Sequence, residues 1–373
     1  MSDRRQTSRV VRIGGFDHVE SVLVGGAYPV AVQTMWKDAL ARSDLEGTAG
    51  EATVGRVAKL RALGCSILRF AVPDLAAAEV LGELASRVSL PLVADIHFDH
   101  EIALRCLDFP IAKIRLNPGN IGSRAKVEAV VSKAAAKGVP IRIGVNAGSL
   151  PQDLRRGVEA GTATRAEALV AAAERELGVF DELGFTEVLV SMKASSIADT
   201  LEANRLLASR RDVPLHLGVT EAGPLIPGIV RNAVALHALL SEGIGATIRV
   251  SLSDSMESEV LAGREILGAV ADSTGKGGKG RGIVIVSCPR CGRNGFETHA
   301  FAERWRDELY SLKVDATVAI MGCAVNGPGE ARHADLGITG AGDKILIFRH
   351  GEIVRTVEPG QEDAAFREEL AKL

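Results

Sequence analysis

Residues 112–146 read AKIRLNPGNIGSRAKVEAVVSKAAAKGVPIRIGVN. A β-rich run starting at Ala112 gives way to a segment with helical apolar spacing, Ala125 to Gly138, and a second run starts at Ile141. Such a segment, stopped by a glycine and followed at once by a strand, reads as a helix closed by a left-handed C-cap. The flanking runs are nearly continuous in apolar character, as parallel strands are when helices cover both faces of the sheet. The unit recurs outward in both directions. Further runs begin at Pro29 (PVAVQTM), Ser66 (SILRFAV), Pro91 (PLVADIHF), Glu187 (EVLVSMK), Leu215 (LHLGVTEA) and Thr247 (TIRVSLS), which makes eight in all. Helical segments such as Asn204–Arg211 lie between them, and LGC, KGVP and LGF repeat the glycine-then-strand stop. Eight strand–helix units over ~250 residues is the arithmetic of an α/β fold of the (β/α)8 TIM-barrel type. No G-x-G-x-x-G follows any run, which disfavours a doubly wound dinucleotide-binding sheet.

The composition fits a globular protein. Of 373 residues, 46% are hydrophobic and 24% charged, and the formal net charge is −3, so no global field would hold the chain on DNA or an anionic membrane. The apolar stretches are strand-length, shorter than the ~18 residues of a membrane span. The start, MSDRRQTSRVVRIGG, lacks a signal-peptide core, so a cytoplasmic location is expected. Five cysteines, an odd number, argue against a disulfide framework. Cys65 and Cys106 sit alone in apolar periodic segments and read as small core residues.

A TIM barrel carries its active site at the carboxyl ends of its strands. Those ends hold Arg69, Asp95 with His97, Arg115 with Asn117, Arg142 with Asn146, Lys193, Glu221, and Arg249 with Ser251 and Ser253. Burying cations without partners is expensive, so a mouth that collects five of them is built for an anion. Arginine's planar fork suits phosphate oxygens, and a phosphorylated or diphosphorylated small molecule follows. The plainer alternative is a structural ion network with Asp95 and Glu221. The barrel pattern ends near residue 270. The glycine-rich, basic stretch 271–282 has no P-loop spacing and no interleaved aromatics, and reads as a linker. Residues 283–373 then form a small α/β domain: a strand in GIVIVSCP, a helix in THAFAERWRDELYSL, a strand in VDATVAIMGC, a C-terminal hairpin and a closing helix.

Cys288-Pro-Arg-Cys291-Gly follows the first strand of that domain, and Cys323 ends the next in MGCAVNGPGE. The loop glycine and proline would let both sulfurs of the first pair point inward. Three thiolates converging from neighbouring strand ends signal a metal site. No fourth cysteine is near, and Glu330, His299 and His333 are the candidate fourth ligands. An iron–sulfur cluster with one exchangeable metal, a Cys3His zinc and a redox dithiol all fit the spacing. A barrel aldolase or lyase with a structural zinc, using Lys193 as Schiff-base amine, is the enzyme alternative. A non-enzymatic metal-binding regulator is a third reading, one that leaves the cationic mouth without a ligand.

PLVADIHFD, RLNPGNIG, PIRIGVNAGSL, PLHLGVTEAG, LLSEGIG with TIRVSL, SCPRCGR and GCAVNGPGE occur in that order. Between about Val24 and Gly340 the chain closely resembles the bacterial 4-hydroxy-3-methylbut-2-en-1-yl diphosphate synthase family of the non-mevalonate isoprenoid pathway. The resemblance implies reductive ring opening of 2-C-methyl-D-erythritol 2,4-cyclodiphosphate in the barrel and a [4Fe-4S] cluster in the C-terminal α/β iron–sulfur domain. It implies Cys288, Cys291, Cys323 and Glu330 as cluster ligands, with Asn326 close to the unique iron. Arg69, His97, Arg115, Arg142, Asn146, Lys193, Arg249 and Ser251 would line the diphosphate pocket. Glu221 would be the acidic residue at the reacting centre, and burial beside a dianionic ligand would raise its pKa. The resemblance also implies reduced flavodoxin or ferredoxin as electron donor. It further implies a homodimer in which the cluster domain of one subunit closes the other's barrel. Two departures from the family stand near these motifs: Trp36-Lys37 replace small polar residues after the first strand, and Ala246 replaces an aspartate.

Overall fold

The computed structural model describes residues 8–275 and 282–373. The chain divides into two compact units, one ending at Thr274 and the other beginning at Gly275. The last barrel helix, Met256–Ser273, runs into the first residues of the stretch read as a linker. Residues 276–281 of that stretch lie outside the described residues. Among the described residues no helix is long and apolar enough to cross a membrane.

The first unit opens with an antiparallel hairpin, β1 (Val11–Gly14) and β2 (Ser21–Val24). Eight parallel strands follow: β3 (Ala31–Met35), β4 (Ile67–Ala71), β5 (Leu92–Asp95), β6 (Lys113–Arg115), β7 (Ile141–Asn146), β8 (Val188–Lys193), β9 (His216–Leu217) and β10 (Thr247–Ile248). Each pairs with its neighbour in sequence from β3 to β8, β10 pairs with both β3 and β9, and the bridge Val190–Leu215 links β8 to β9. The helices between strands start on side-chain caps. Thr164 and Glu167 exchange hydrogen bonds of 3.1 and 2.7 Å, and Asp74 accepts from Ala77 N–H at 2.8 Å. Gly64 and Gly138 close two of them in the left-handed conformation.

β9 and β10 are only two residues long, although LHLGVTEA and TIRVSLS read as full strands. A Cβ on Gly218 would sit 2.4 Å from the Arg249 carbonyl and 2.8 Å from Lys193 Nζ. That close approach leaves room only for glycine, and the ladder ends there. The hairpin β1–β2 was not read from the sequence. It covers the amino-terminal end of the barrel, where Val11, Ile13 and Val24 pack against Ala31, Ile67, Val93, Leu189 and Ala246. Ala246 therefore sits at the end of the barrel opposite the carboxyl ends of the strands.

The second unit is a five-stranded mixed sheet in the order β11 (Ile283–Ser287), β12 (Ala316–Met321), β13 (Leu336–Ala341), β14 (Lys344–Arg349), β15 (Glu352–Val357). β11, β12 and β13 are parallel; β13, β14 and β15 are antiparallel. β13 escaped the sequence reading because LGITGA carries two glycines, which weaken a strand signal. Both are required by packing. A Cβ on Gly337 would lie 2.1 Å from the Phe348 ring, and one on Gly340 2.2 Å from the Gly295 carbonyl. The helices Thr298–Ser311 and Glu362–Leu370 cover the sheet through Phe301, Trp305 and Phe366, whose ring centroids are 4.9–5.8 Å apart.

Ile13 is fully buried in the barrel-closing hairpin. Ile13→Ala is expected to cost about 2–5 kcal/mol of stability, read by denaturant unfolding of the intact chain. A loss below about 0.5 kcal/mol would contradict the closing role of the hairpin.

Candidate active site

TIM-barrel interiors are usually filled with branched apolar residues. Here alternate residues of the strands send polar and charged side chains inward instead. Lys113 and Arg115 share one face of β6, as residues two apart in a strand must. The Asp95 carboxylate organises this layer. Arg115 Nη1 lies 3.2 Å from Asp95 Oδ1, and Arg69 Nε lies 3.4 Å from Oδ2, misaligned for a hydrogen bond. Burial would raise the Asp95 carboxyl. The His97 ring and the Arg69, Arg115 and Arg142 charges outweigh it and hold the group well below the usual carboxylate range. Arg115 also lies 3.2 Å from His97 Nδ1 and donates to the Gly144 carbonyl at 3.2 Å. Asn117 grips the Gly144 backbone from both sides at 2.8 Å, so its amide is occupied in spacing β6 from β7.

Arg142, Lys113 and His216 find no carboxylate in their hydrogen bonds. Arg142, 2% exposed, donates to the neutral Ser191 hydroxyl at 2.6 Å, and its Nε has no partner among the described residues. Lys113 is fully enclosed and donates to Gln33 Oε1 at 3.1 Å. His216, also enclosed, meets Thr247 Oγ1 through Nδ1 at 2.7 Å and leaves Nε2 unpartnered. Burial, reinforced by the neighbouring cations, lowers the proton affinity of Arg142, Lys113, Lys193 and His216 well below ordinary values, and brings Arg69 down to about 10. Arg249 pairs with Glu259, at 3.3 Å from both carboxylate oxygens. The structural-network alternative thus accounts for Arg69, Arg115 and Arg249, with Glu259 rather than Glu221 as the second carboxylate. It leaves Arg142, Lys193 and Lys113 as an excess of buried positive charge.

Asn146 and Glu221 line a cleft of about 650 Å³ together with Ser149, Arg155, Arg165 and Thr220. Glu221 is exposed and adopts a left-handed backbone, φ 52°. The burial expected for Glu221 is not found. A non-glycine residue in that conformation is uncommon and clusters at functional sites. Ser251 is half-buried, and Ser253 is exposed with its N–H on the Gly223 carbonyl at 3.1 Å. Gln33, Lys113, Ser191, His216 and Glu259 were missed from the sequence. For Lys113 the signal was present, two residues before Arg115 in the same strand.

In the second unit, parallel pairing of β11 with β12 brings the two cysteine loops to one sheet end. Cys288 N–H donates to Ile320 O at 3.0 Å, and Gly295 N–H to Gly322 O at 2.7 Å. Gly322 keeps that junction open, since a Cβ there would lie 2.4 Å from Asn294 Oδ1 and 3.6 Å from Cys288 Sγ. Cys288 is half-buried, Cys323 is buried and Cys291 is exposed. The inward turn of both sulfurs of the C-x-x-C pair is therefore not seen. The reversal falls on Arg290, φ 71°, rather than on Gly292, and carries Cys291 outward. A hydrogen bond from the Arg293 backbone holds the exposed Cys291 thiol below its usual pKa. Cys65 and Cys106, in contrast, are buried and pushed up to about 12.

Cys323 opens a π-helical turn, Val325–Glu330, in which Ala331 N–H reaches back to Asn326 O at 3.0 Å. The turn brings Asn326 between two of the candidate ligands: Cys323 Sγ is 3.4 Å from Asn326 Oδ1, and Asn326 Nδ2 donates to Glu330 Oε2 at 2.7 Å. His299 and His333 are both exposed. Among the described residues no three His, Cys, Asp or Glu side chains stand close enough together to hold a metal ion.

The family model of the GcpE TIM-barrel domain matches residues 17–264, and that of the GcpE protein C-terminal domain matches residues 284–372. The chain is 52% identical to the 4-hydroxy-3-methylbut-2-en-1-yl diphosphate synthase (flavodoxin) of Treponema pallidum (strain Nichols), over 98% of this chain and 92% of that one. It is 48% identical to the protein of the same name from Treponema denticola, over 98% of both chains. With that of Geobacter sulfurreducens it shares 44% identity over 98% of both. Two family matches in order, and relatives similar over nearly their whole length, make this chain a member of the GcpE family.

Proposed function

We propose that this chain catalyses the two-electron reductive ring opening of 2-C-methyl-D-erythritol 2,4-cyclodiphosphate to 4-hydroxy-3-methylbut-2-enyl diphosphate, with reduced flavodoxin or ferredoxin as donor. The observation that carries this reading is the excess of buried cations at the barrel mouth, in a chain whose relatives bear that synthase name. Arg69, Arg115, Arg142, Lys193 and Arg249 hold the diphosphate, with His97, Asn146 and Ser251 around it. Asp95, Ser191 and Glu259 fix three of the guanidinium groups before the ligand arrives, so little reorganisation is left for the reaction.

Two electrons and two protons enter, the ring C–O bond to phosphate breaks, and the hydroxyl leaves as water. The guanidinium and ammonium groups balance the charge that grows on the departing diphosphate oxygen. Glu221, in the cleft beside Asn146, delivers a proton to the leaving hydroxyl. Cys288, Cys291, Cys323 and Glu330 would hold a [4Fe-4S] cluster; three soft thiolates with one weaker carboxylate suit iron and leave one metal open to exchange. When bound, that group supplies electron relay and a Lewis-acidic iron. Asn326 holds the Glu330 carboxylate against the Cys323 loop and sets the distance over which it can swing. The working form is a homodimer in which the cluster domain of one protomer closes its partner's barrel. A monomer with full turnover would contradict that arrangement.

One observation favours a second reading. The Lys193 amine, its proton affinity lowered by burial, has the character of a Schiff-base lysine. Borohydride added with a phosphorylated aldose or ketose, whose carbonyl could form an imine, leaves the mass of the chain unchanged under the synthase reading; an adduct on Lys193 would support the lyase.

Anaerobically reconstituted protein should convert the cyclic diphosphate with dithionite-reduced flavodoxin and contain about four irons and four sulfides per chain. One tightly bound zinc with no sulfide and no turnover would overturn the proposal. Glu221→Gln should lower kcat on the order of 10²–10⁴-fold with substrate affinity within about threefold; wild-type turnover would remove Glu221 from proton delivery. In metal-free protein at neutral pH, iodoacetamide should label Cys291 first and leave Cys65 and Cys106 unmodified, as peptide mass mapping would report.

A further inference from the structure

Lys37 takes no part in the roles assigned above, yet its ammonium is fully engaged. It follows β3, and its side chain is 28% exposed. Nζ lies 3.1 Å from Glu259 Oε1, donates to Leu252 O at 2.7 Å and donates to Asp254 O. Two of its donors meet backbone carbonyls, and the Glu259 carboxylate adds an ion pair. Leu252 and Asp254 belong to the loop after β10 that carries Ser251. The base of the lysine is anchored by Trp36, which is 7% exposed and stacks on Phe70 at 5.3 Å with the Arg56 guanidinium 5.0 Å from its ring. The Trp36 N–H donates to the Arg69 carbonyl at 2.8 Å, which ties this segment to a second mouth strand.

Glu259 is the hub of this arrangement. Its buried carboxylate accepts from Thr34 Oγ1 at 2.7 Å and Leu252 N–H at 3.0 Å, and is shared between Lys37 and Arg249. Arg249 stands 3.3 Å from both oxygens, longer than the ~2.7–2.9 Å of a committed charge-assisted pair. One carboxylate facing Arg249 alone would cancel its charge. Facing Arg249 and Lys37 together, it is divided between them, and the Asp254 carboxylate also acts on Lys37, so Glu259 is not committed to Arg249 alone.

We propose that Lys37 is a positioning residue of the anion site. It straps the 251–254 loop to β3 and takes a share of Glu259, so that Arg249 keeps its charge and its reach for a phosphate group of the ligand. The proposal rests on the reading of the mouth as a diphosphate site and adds to it a residue that touches no ligand.

The test uses cluster-loaded protein and three substitutions at one position. Lys37→Met removes strap and charge, Lys37→Gln keeps hydrogen-bonding capacity without charge, and Lys37→Arg keeps both. KM and kcat are measured for the cyclic diphosphate, and its Kd by calorimetry. Lys37→Met and Lys37→Gln should raise KM and Kd about tenfold with kcat within about twofold, and Lys37→Arg should restore both to within about threefold of wild type. Because Lys37→Gln separates charge from the strap, it remains informative if Lys37→Met lowers the melting temperature. Unchanged KM and Kd in Lys37→Gln, or an equal loss of kcat and melting temperature in all three variants, would overturn the proposal. Wild-type protein that fails to bind the cyclic diphosphate would overturn the reading of the site, a result distinct from wild-type binding that the substitutions leave untouched.

Discussion

The barrel depends on holding basic side chains in its interior with few carboxylates to balance them. Arg142, Lys113, Lys193 and His216 are buried near one another, and among the described residues Asp95 and Glu259 are the buried carboxylates of the barrel. An ionised group taken from water into such surroundings costs several kcal/mol unless a partner is supplied. The structure partly meets that cost with hydrogen bonds from Arg142 to Ser191, from Lys113 to Gln33 and between His216 and Thr247, and among the described residues Arg142 Nε and His216 Nε2 have no partner. Under the proposed function, a multiply charged anion at the mouth would complete the balance.

The rest of the first unit supports that arrangement. The hairpin at the amino-terminal end supplies the apolar closure that the polar interior cannot, so the barrel has a dry floor beneath a charged chamber. Strand register sets which residues line it: pairing of Asp95 with Arg115 across β5 and β6, and of Arg115 with Arg142 across β6 and β7, places one carboxylate among three guanidinium groups. The second unit follows a different principle. There glycines at Gly322, Gly337 and Gly340 allow close approach of strands and loops, and a π-helical turn aligns Cys323, Asn326 and Glu330.

Much of this was legible in the sequence. The eight strand runs and the cations at their ends are local signals, because a strand is a short apolar run and its carboxyl end follows from chain direction. The missed features depend on tertiary context. Glu259 looked like an ordinary acidic residue in the first turn of a helix, favoured there by the helix dipole. Only folding places it under Arg249. Gln33, Ser191 and His216 are chemically unremarkable until barrel closure turns them inward. Glu221 was expected to be buried beside an anionic ligand because of the family resemblance, but the chain turns there with φ 52° and the residue is exposed. The C-x-x-C pair gave the loop, while the direction of Cys291 followed from backbone strain at Arg290 that no spacing rule reports.

The central claim is that the barrel mouth is a preformed site for a diphosphate, held in readiness by unmatched buried charge. Thermal unfolding of the protein with increasing 2-C-methyl-D-erythritol 2,4-cyclodiphosphate tests it most directly, with 2-C-methyl-D-erythritol as the uncharged control. The account predicts a melting temperature that climbs with the cyclic diphosphate, corresponding to about 2.7 kcal/mol of added stability at a hundredfold excess over Kd, and no shift with the control. Equal shifts with both compounds, or none with either at millimolar concentration, would contradict it.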